Sequence, residues 1–470
     1  MKFLKLLPLY IFLMMVQAVM LTGCIEDGVS ASSADQPEFS VDTLDLGTFF
    51  SGQPTPTYSF MVYNRHNKII NISSISLREG SHGFRLNVDG QAGRTFSNIE
   101  IRPNDSIFVF VEVTVPSAGD KESLRVIDHV DFITQGVSRS VVVAATGRDV
   151  EVLRGVVIDS DTHWTAGGPR QVFDSLVVAP GATLTLDPGV ELFFHDKASL
   201  EVRGRLVSNG TMEQPVVMTG DRTDNVVADI PFDLMAGQWS GVTFHPGSGG
   251  SRLDHTVIKN MTQGVFVDSV SAPSAGEPGL YIRNSRIRNS TGYAFCAWFS
   301  DIKAVGSEFS DAGLTPLLLV GGNHVFNHVT VANYYLFAAI AYPLVNLTHF
   351  NAESDAQVDL PYMTADFSNC IFYGLGQDIN TGNLDGTQVT IRNTVFKSEG
   401  TDDSNFLNCI WATDPLYETV RDEYIFDYRL KPESPVLQAG DGSLTLPEAM
   451  IDAYGVQRTS MPTPGAYQFP

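Results

Sequence analysis

The chain has 470 residues, 43% of them hydrophobic, with 30 basic and 53 acidic side chains and a formal net charge of −23. That length predicts more than one domain, and the apolar content suffices for buried cores. The acidic balance argues against a nucleic-acid-binding role, which needs basic patches against phosphate. It favours cationic or neutral partners instead.

Lys2 and Lys5 precede an apolar run from Leu6 to Leu21, which ends in Leu21-Thr22-Gly23-Cys24. A positive start followed by a short apolar core has the build of a secretory signal, and the run is short for a spanning helix of about 20 residues. Residues 24–37 are then a polar linker, with Ile25-Glu26-Asp27 directly after the cysteine. From 38 to 148 short strands alternate with turns. Ile107, Val109, Val111, Val113 and Val115 recur with a period of two and would share one face. Such a stretch predicts an antiparallel β-sandwich.

Beyond Asp149 the pattern changes to short apolar strands at wide spacing. The segments HTVI (255–258), NSRI (284–287), GSEF (306–309), HVTV (328–331), NCIF (369–372), NTVF (393–396) and NCIW (408–411) align with one another. Their period is about 22 residues, with the interval from 331 to 372 read as two steps, and repeats of this length predict a solenoid. Helical periodicity and a leucine-rich pattern are both missing, which leaves a parallel β-helix over 149–420 closed by a cap at 421–470. The last motif position (Ile258, Ile287, Phe309, Val331, Phe372, Phe396, Trp411) is the expected interior stack. The first includes Asn284, Asn369, Asn393 and Asn408, expected as an inward-facing amide ladder, since stacked strands lie about 4.8 Å apart. With Cys24 set aside, Cys296, Cys370 and Cys409 read as buried free thiols, with a Cys370–Cys409 disulfide as the alternative.

Four resemblances add to this reading. LTGC after its apolar run resembles the lipobox of bacterial lipoproteins, which implies cleavage after residue 23 and a lipid on Cys24 that anchors the chain to the outer membrane. The acidic residues after it resemble the surface-export signal of some Gram-negative lipoproteins, with the periplasmic face as the alternative. FSVDTLDLGTFFSGQ and YSFMVYNRHNKIINISSISL resemble the immunoglobulin-like module of the major-sperm-protein and hydin type. LVVAPGATLTLDPGVELFFHDKASLEVRGRLVSNGT resembles the entry coils of right-handed parallel β-helices of the pectate-lyase-like superfamily. The fold class expected is therefore all-β: an Ig-like β-sandwich followed by a single-stranded right-handed parallel β-helix.

Many β-helix proteins are polysaccharide lyases or hydrolases, and those enzymes need paired carboxylates or a calcium site. Asp221, Asp224 and Asp229 in the loop 219–238 are the weak candidates for Ca²⁺, against a plain surface insertion. The clusters Tyr293, Phe295, Trp298, Phe299 and Tyr334, Tyr335, Phe337, Tyr342 read as coil filling, or as sugar-stacking rings if exposed. No catalytic residue is expected. The function expected is a surface lipoprotein, more non-enzymatic than not, binding an extracellular glycan or protein partner along the coils. The alternative is a glycan lyase or hydrolase with an unrecognised site.

Overall fold

A computed structural model describes residues 28–119, 122–227, 230–348 and 363–470. Cys24 and Asp229 lie outside these residues. The chain divides into two compact units, 1–149 and 150–470. Among the described residues no helix is long and apolar enough to cross a membrane.

The first unit is two five-stranded sheets around one apolar core. Alternation builds it. In Ser106–Val113, Val109, Val111 and Val113 are buried while Phe108 and Phe110 face outward. That strand pairs antiparallel with Tyr58–Tyr63, and Leu124–Thr134 pairs antiparallel with Val137–Arg148. One pair departs from the antiparallel expectation: Thr43–Phe50 runs parallel to Val137–Arg148.

The second unit is a parallel β-helix, and its register follows the sequence motif residue by residue. Ile258 lies beside Ile287, Ile287 beside Phe309, Phe309 beside Val331, Val331 beside Phe372, and Phe372 beside Phe396. Leu192 and Met218 extend the same column upstream. All of these side chains are buried, and Trp411 closes the stack with its ring 4.6 Å from Phe396. The pairing of Val331 with Phe372 corrects the two-step reading of that interval: it is a single coil carrying a long insertion.

The amide column also differs from expectation. His255, Asn284, Gly306, His328, Asn369, Asn393 and Asn408 all have positive φ, between 40° and 58°. This is the left-handed region that glycine and asparagine tolerate best, so the column turns the chain. Its side chains lie on the outer side of the bend. Asn284 and Asn369 are buried there, but Asn393 is only half-buried and Asn408 is exposed. The inward ladder stands one residue later, at Thr256, Ser285, Ser307, Cys370, Thr394 and Cys409. The Ser285 hydroxyl accepts from the Thr256 amide at 3.0 Å and the Ser307 hydroxyl from the Ser285 amide at 3.1 Å. Thr394 donates to the Arg392 carbonyl at 3.0 Å. Small hydroxyls and thiols thus satisfy backbone groups that the corner takes out of the strand ladder. Cys296, Cys370 and Cys409 are free thiols, and no disulfide joins the last two.

Residues 421–470 were expected to close the end of the stack, whereas they run back along its flank. The Tyr428 hydroxyl donates to Asp311 at 2.5 Å, Tyr467 donates to Glu308, and Lys303 meets Glu448 at 2.7 Å. Arg458 is fully buried within this segment, with its guanidinium spent on the carbonyls of Ala449, Thr463, Gly465 and Ala466.

Candidate functional site

One sheet of the β-helix contains the parallel strands Arg205–Asn209, Ser251–Asp254, Leu280–Arg283, Asp301–Val305 and Gly322–Asn327. Leu253, Leu280, Ile282, Ile302 and Ala304 point into the core. The residues between them therefore face outward, and the register lines up Val207, Arg252, Tyr281, Lys303 and Val325. This line is the floor of a groove of about 480 Å³. Gly276, Glu277 and Pro278, in the insertion between two coils, and Glu448 of the returning segment also line it. The depression continues past Asn323, Val325 and Thr364.

The floor is cationic in an acidic protein. The Arg252 guanidinium lies 4.9 Å from the centre of the Tyr281 ring, and the Lys303 ammonium 5.7 Å from it. Both cations thus sit against the π-face. Arg252 and Arg283, in adjacent coils, share one carboxylate: each gives its Nε to a different oxygen of the buried Asp254. Arg205 lies across Gly250, whose φ is +80° and where any Cβ would strike the guanidinium. Burial pushes the Tyr281 phenol up to about 12, and its hydroxyl has no hydrogen-bond partner among the described residues. The Lys303 hydrogen bond holds Glu448 below its ordinary value. The groove offers donors and fixed charge, and none of these shifted groups is poised near neutral pH for proton transfer.

The carboxylate that is shifted toward neutrality lies elsewhere. Burial raises Asp311 to about 6, against the hydrogen bond from Tyr428. It stands near Arg288, Lys259 and Asp233, beside a space of about 30 Å³. That is room for one or two waters and not for a sugar ring.

The described acids of the candidate calcium loop already have partners. Asp221 accepts from Gln171 and meets the His195 imidazole, each at 2.7 Å, while Arg222 grips Asp224 with two bonds of 2.7 and 2.6 Å. The described acids of the loop face separate partners, and no three metal-ligating side chains converge among the described residues. Of the aromatic clusters, Phe295 and Tyr335 are buried, whereas Trp298, Phe337 and Tyr342 are exposed.

No family model matches the chain. No curated protein matches it either. Among the solved structures with faint similarity are the following. A protein of unknown function from Porphyromonas gingivalis W83 is 17% identical with a TM-score of 0.19, over 26% of this chain and 49% of the other. The VesB protease of Vibrio cholerae is 15% identical with a TM-score of 0.18, over 24% and 32%. A family 123 glycoside hydrolase from Clostridium perfringens is 8% identical with a TM-score of 0.17, over 24% and 26%. In each case less than half of the other chain is spanned, and likenesses this slight carry no argument about activity.

Sequence reasoning missed Arg252, Asp254, Tyr281, Arg283 and Lys303. The signal available was the outward position in consecutive coils, three residues before the corner for Arg252, Tyr281 and Lys303 and directly before it for Asp254 and Arg283, counting back from His255, Asn284 and Gly306. It becomes visible once the motif is aligned.

Proposed function

We propose that the chain is an outer-membrane lipoprotein, anchored through lipid on Cys24 and exposed at the cell surface. In this reading an Ig-like module carries a right-handed β-helix that binds a glycan or protein partner without transforming it. The groove over Arg252, Tyr281 and Lys303 carries the binding part of the reading. It is open, lined by fixed donors, and has no acid and base set to exchange protons. The LTGC sequence and the apolar run before it support the anchor, and lipid anchoring would bring such a groove to external polymers.

Cells expressing the protein and a Cys24→Ala variant, fed a labelled fatty acid, test the anchor: label is expected only on the wild type. The purified protein screened over pectins, mucin glycans and glycosaminoglycans tests the rest. Binding without new reducing ends or unsaturated uronates is expected. Turnover would replace this reading with a polysaccharide lyase or hydrolase, and an unlabelled wild-type band would remove the anchor.

A further inference from the structure

We propose that the groove recognises a single oxyanion, a carboxylate or sulfate ester, on an otherwise neutral saccharide, held by Arg252 and Arg283 of adjacent coils. The proposal rests on the binding function above and specifies its ligand.

The geometry is that of a built anion site. Asp254 is buried beneath the two arginines and takes only their Nε groups. A guanidinium has five N–H donors in a fixed fork, so each arginine keeps its terminal nitrogens. Among the described residues no hydrogen bond uses them. The shared carboxylate ties the two forks together from neighbouring coils, Arg252 on the strand of Asp254 and Arg283 directly across from it, which suits an anion that bridges them. Tyr281 is occupied on its faces by Arg252 and Lys303. It is therefore a spacer for cations and not a platform for stacking a sugar.

Counting charges narrows the ligand. Arg205, Arg252, Arg283 and Lys303 face Asp254, Glu277 and Glu448, so the groove carries one positive charge in excess. The whole chain carries −23. A dense polyanion reaching beyond the groove meets that field over a screening length of about 10 Å at 0.1 M salt, whereas a lone oxyanion meets only the arginines. The site thus selects against polyanions while accepting one charge.

Calorimetric titration of the full chain in detergent with four probes tests this. They are a sialylated trisaccharide, its neutral parent disaccharide, the same disaccharide bearing one sulfate ester, and heparin. Expected is at least tenfold tighter binding of one of the singly charged sugars than of the neutral parent. Comparison of the carboxylate and sulfate probes says which oxyanion is preferred. Heparin should bind more weakly than that sugar at low salt. Arg252→Gln and Arg283→Gln should each lose tenfold or more. Arg205→Gln, on an exposed side chain that holds nothing in place, should lose a few-fold without altering the melting temperature. Equal affinity for charged and neutral sugars overturns the proposal and leaves the glycan-binding reading intact. So does tightest binding of heparin, or an affinity untouched by all three substitutions. Failure of every probe here, together with failure in the wider screen, removes both.

Discussion

Left-handed backbone serves different ends in the two units. In the first it makes an isolated hairpin turn: Asp89 and Gly90, at φ 49° and 82°, join two short strands, and both are exposed. This is the two-residue turn that Asx-Gly pairs favour. In the β-helix the same conformation recurs at one corner of successive coils, and the neighbours above and below turn a local preference into a column. Asn369 reaches His328 Nε2 at 3.1 Å and the Asp441 carbonyl at 2.9 Å, and it accepts from the Asp441 amide at 2.9 Å. Asn284 makes the same reach to His255, at 3.3 Å. Asn393 has the conformation but not the bonds, since its Oδ1 is buried without a hydrogen-bond partner among the described residues. The comparison teaches that the dihedral is a property of the residue, and its energetic weight a property of the stack.

Substitutions can break that ordering. Asn369→Leu strains the backbone and leaves buried groups of the returning segment unpaired, so it should cost about 3–5 kcal/mol, combining the two effects. Asn393→Leu meets the strain alone and should cost about 1–2 kcal/mol. Chemical denaturation of both variants checks the gradient, and equal losses would mean that stacking adds nothing to the corner.

Acid should act on the same stack. Burial holds His324 down to about 4 and His328 well below its ordinary value. The unfolded chain therefore takes up these protons first. The stability linked to these neutral histidines is full above pH 6.5 and declines as the pH falls from 6.5 towards 4, by about 3 kcal/mol for His324. Asp311, raised to about 6, works in the opposite sense: the stability linked to its proton is present at low pH and lost as the pH rises through 6. A melting series over this range should show the decline, with a shallower slope in His324→Gln.

The smallest effect belongs to the hairpin. Asp89→Asn keeps a residue suited to positive φ at an exposed turn, and it should shift stability by no more than about 0.5 kcal/mol in either direction. A larger loss, read in the same denaturation assay, would mean that this turn carries more than its own conformation.

Much of the fold was legible before any coordinates. Ile258, Ile287 and Phe309 could be stacked from their motif alone, because a solenoid writes its register into the spacing of its repeats. The misreadings were geometric. Asn284 and Ser285 stand side by side in the motif, and sequence does not say which of two adjacent polar residues points inward at a bend. The interval from Val331 to Phe372 looked like two coils because an insertion has no period of its own. The candidate loop offered Asp221 and Asp224 together, yet His195 and Arg222 take them separately.

What the sequence determined by itself is what depends on neighbours in the chain or on a regular repeat: the apolar run before Cys24, the alternation in Ser106–Val113, the glycine and asparagine corners, and the stacked interior column. What only the tertiary structure decided is what depends on the lengths of the excursions between coils. Arg252 and Arg283 meet over Asp254 because the coil carrying Glu277 and Pro278 closes in register after its insertion. Glu448 reaches Lys303 because the last fifty residues double back along the flank. Neither event leaves a local trace, since an irregular loop is specified by where its ends can close and by what it buries on the way.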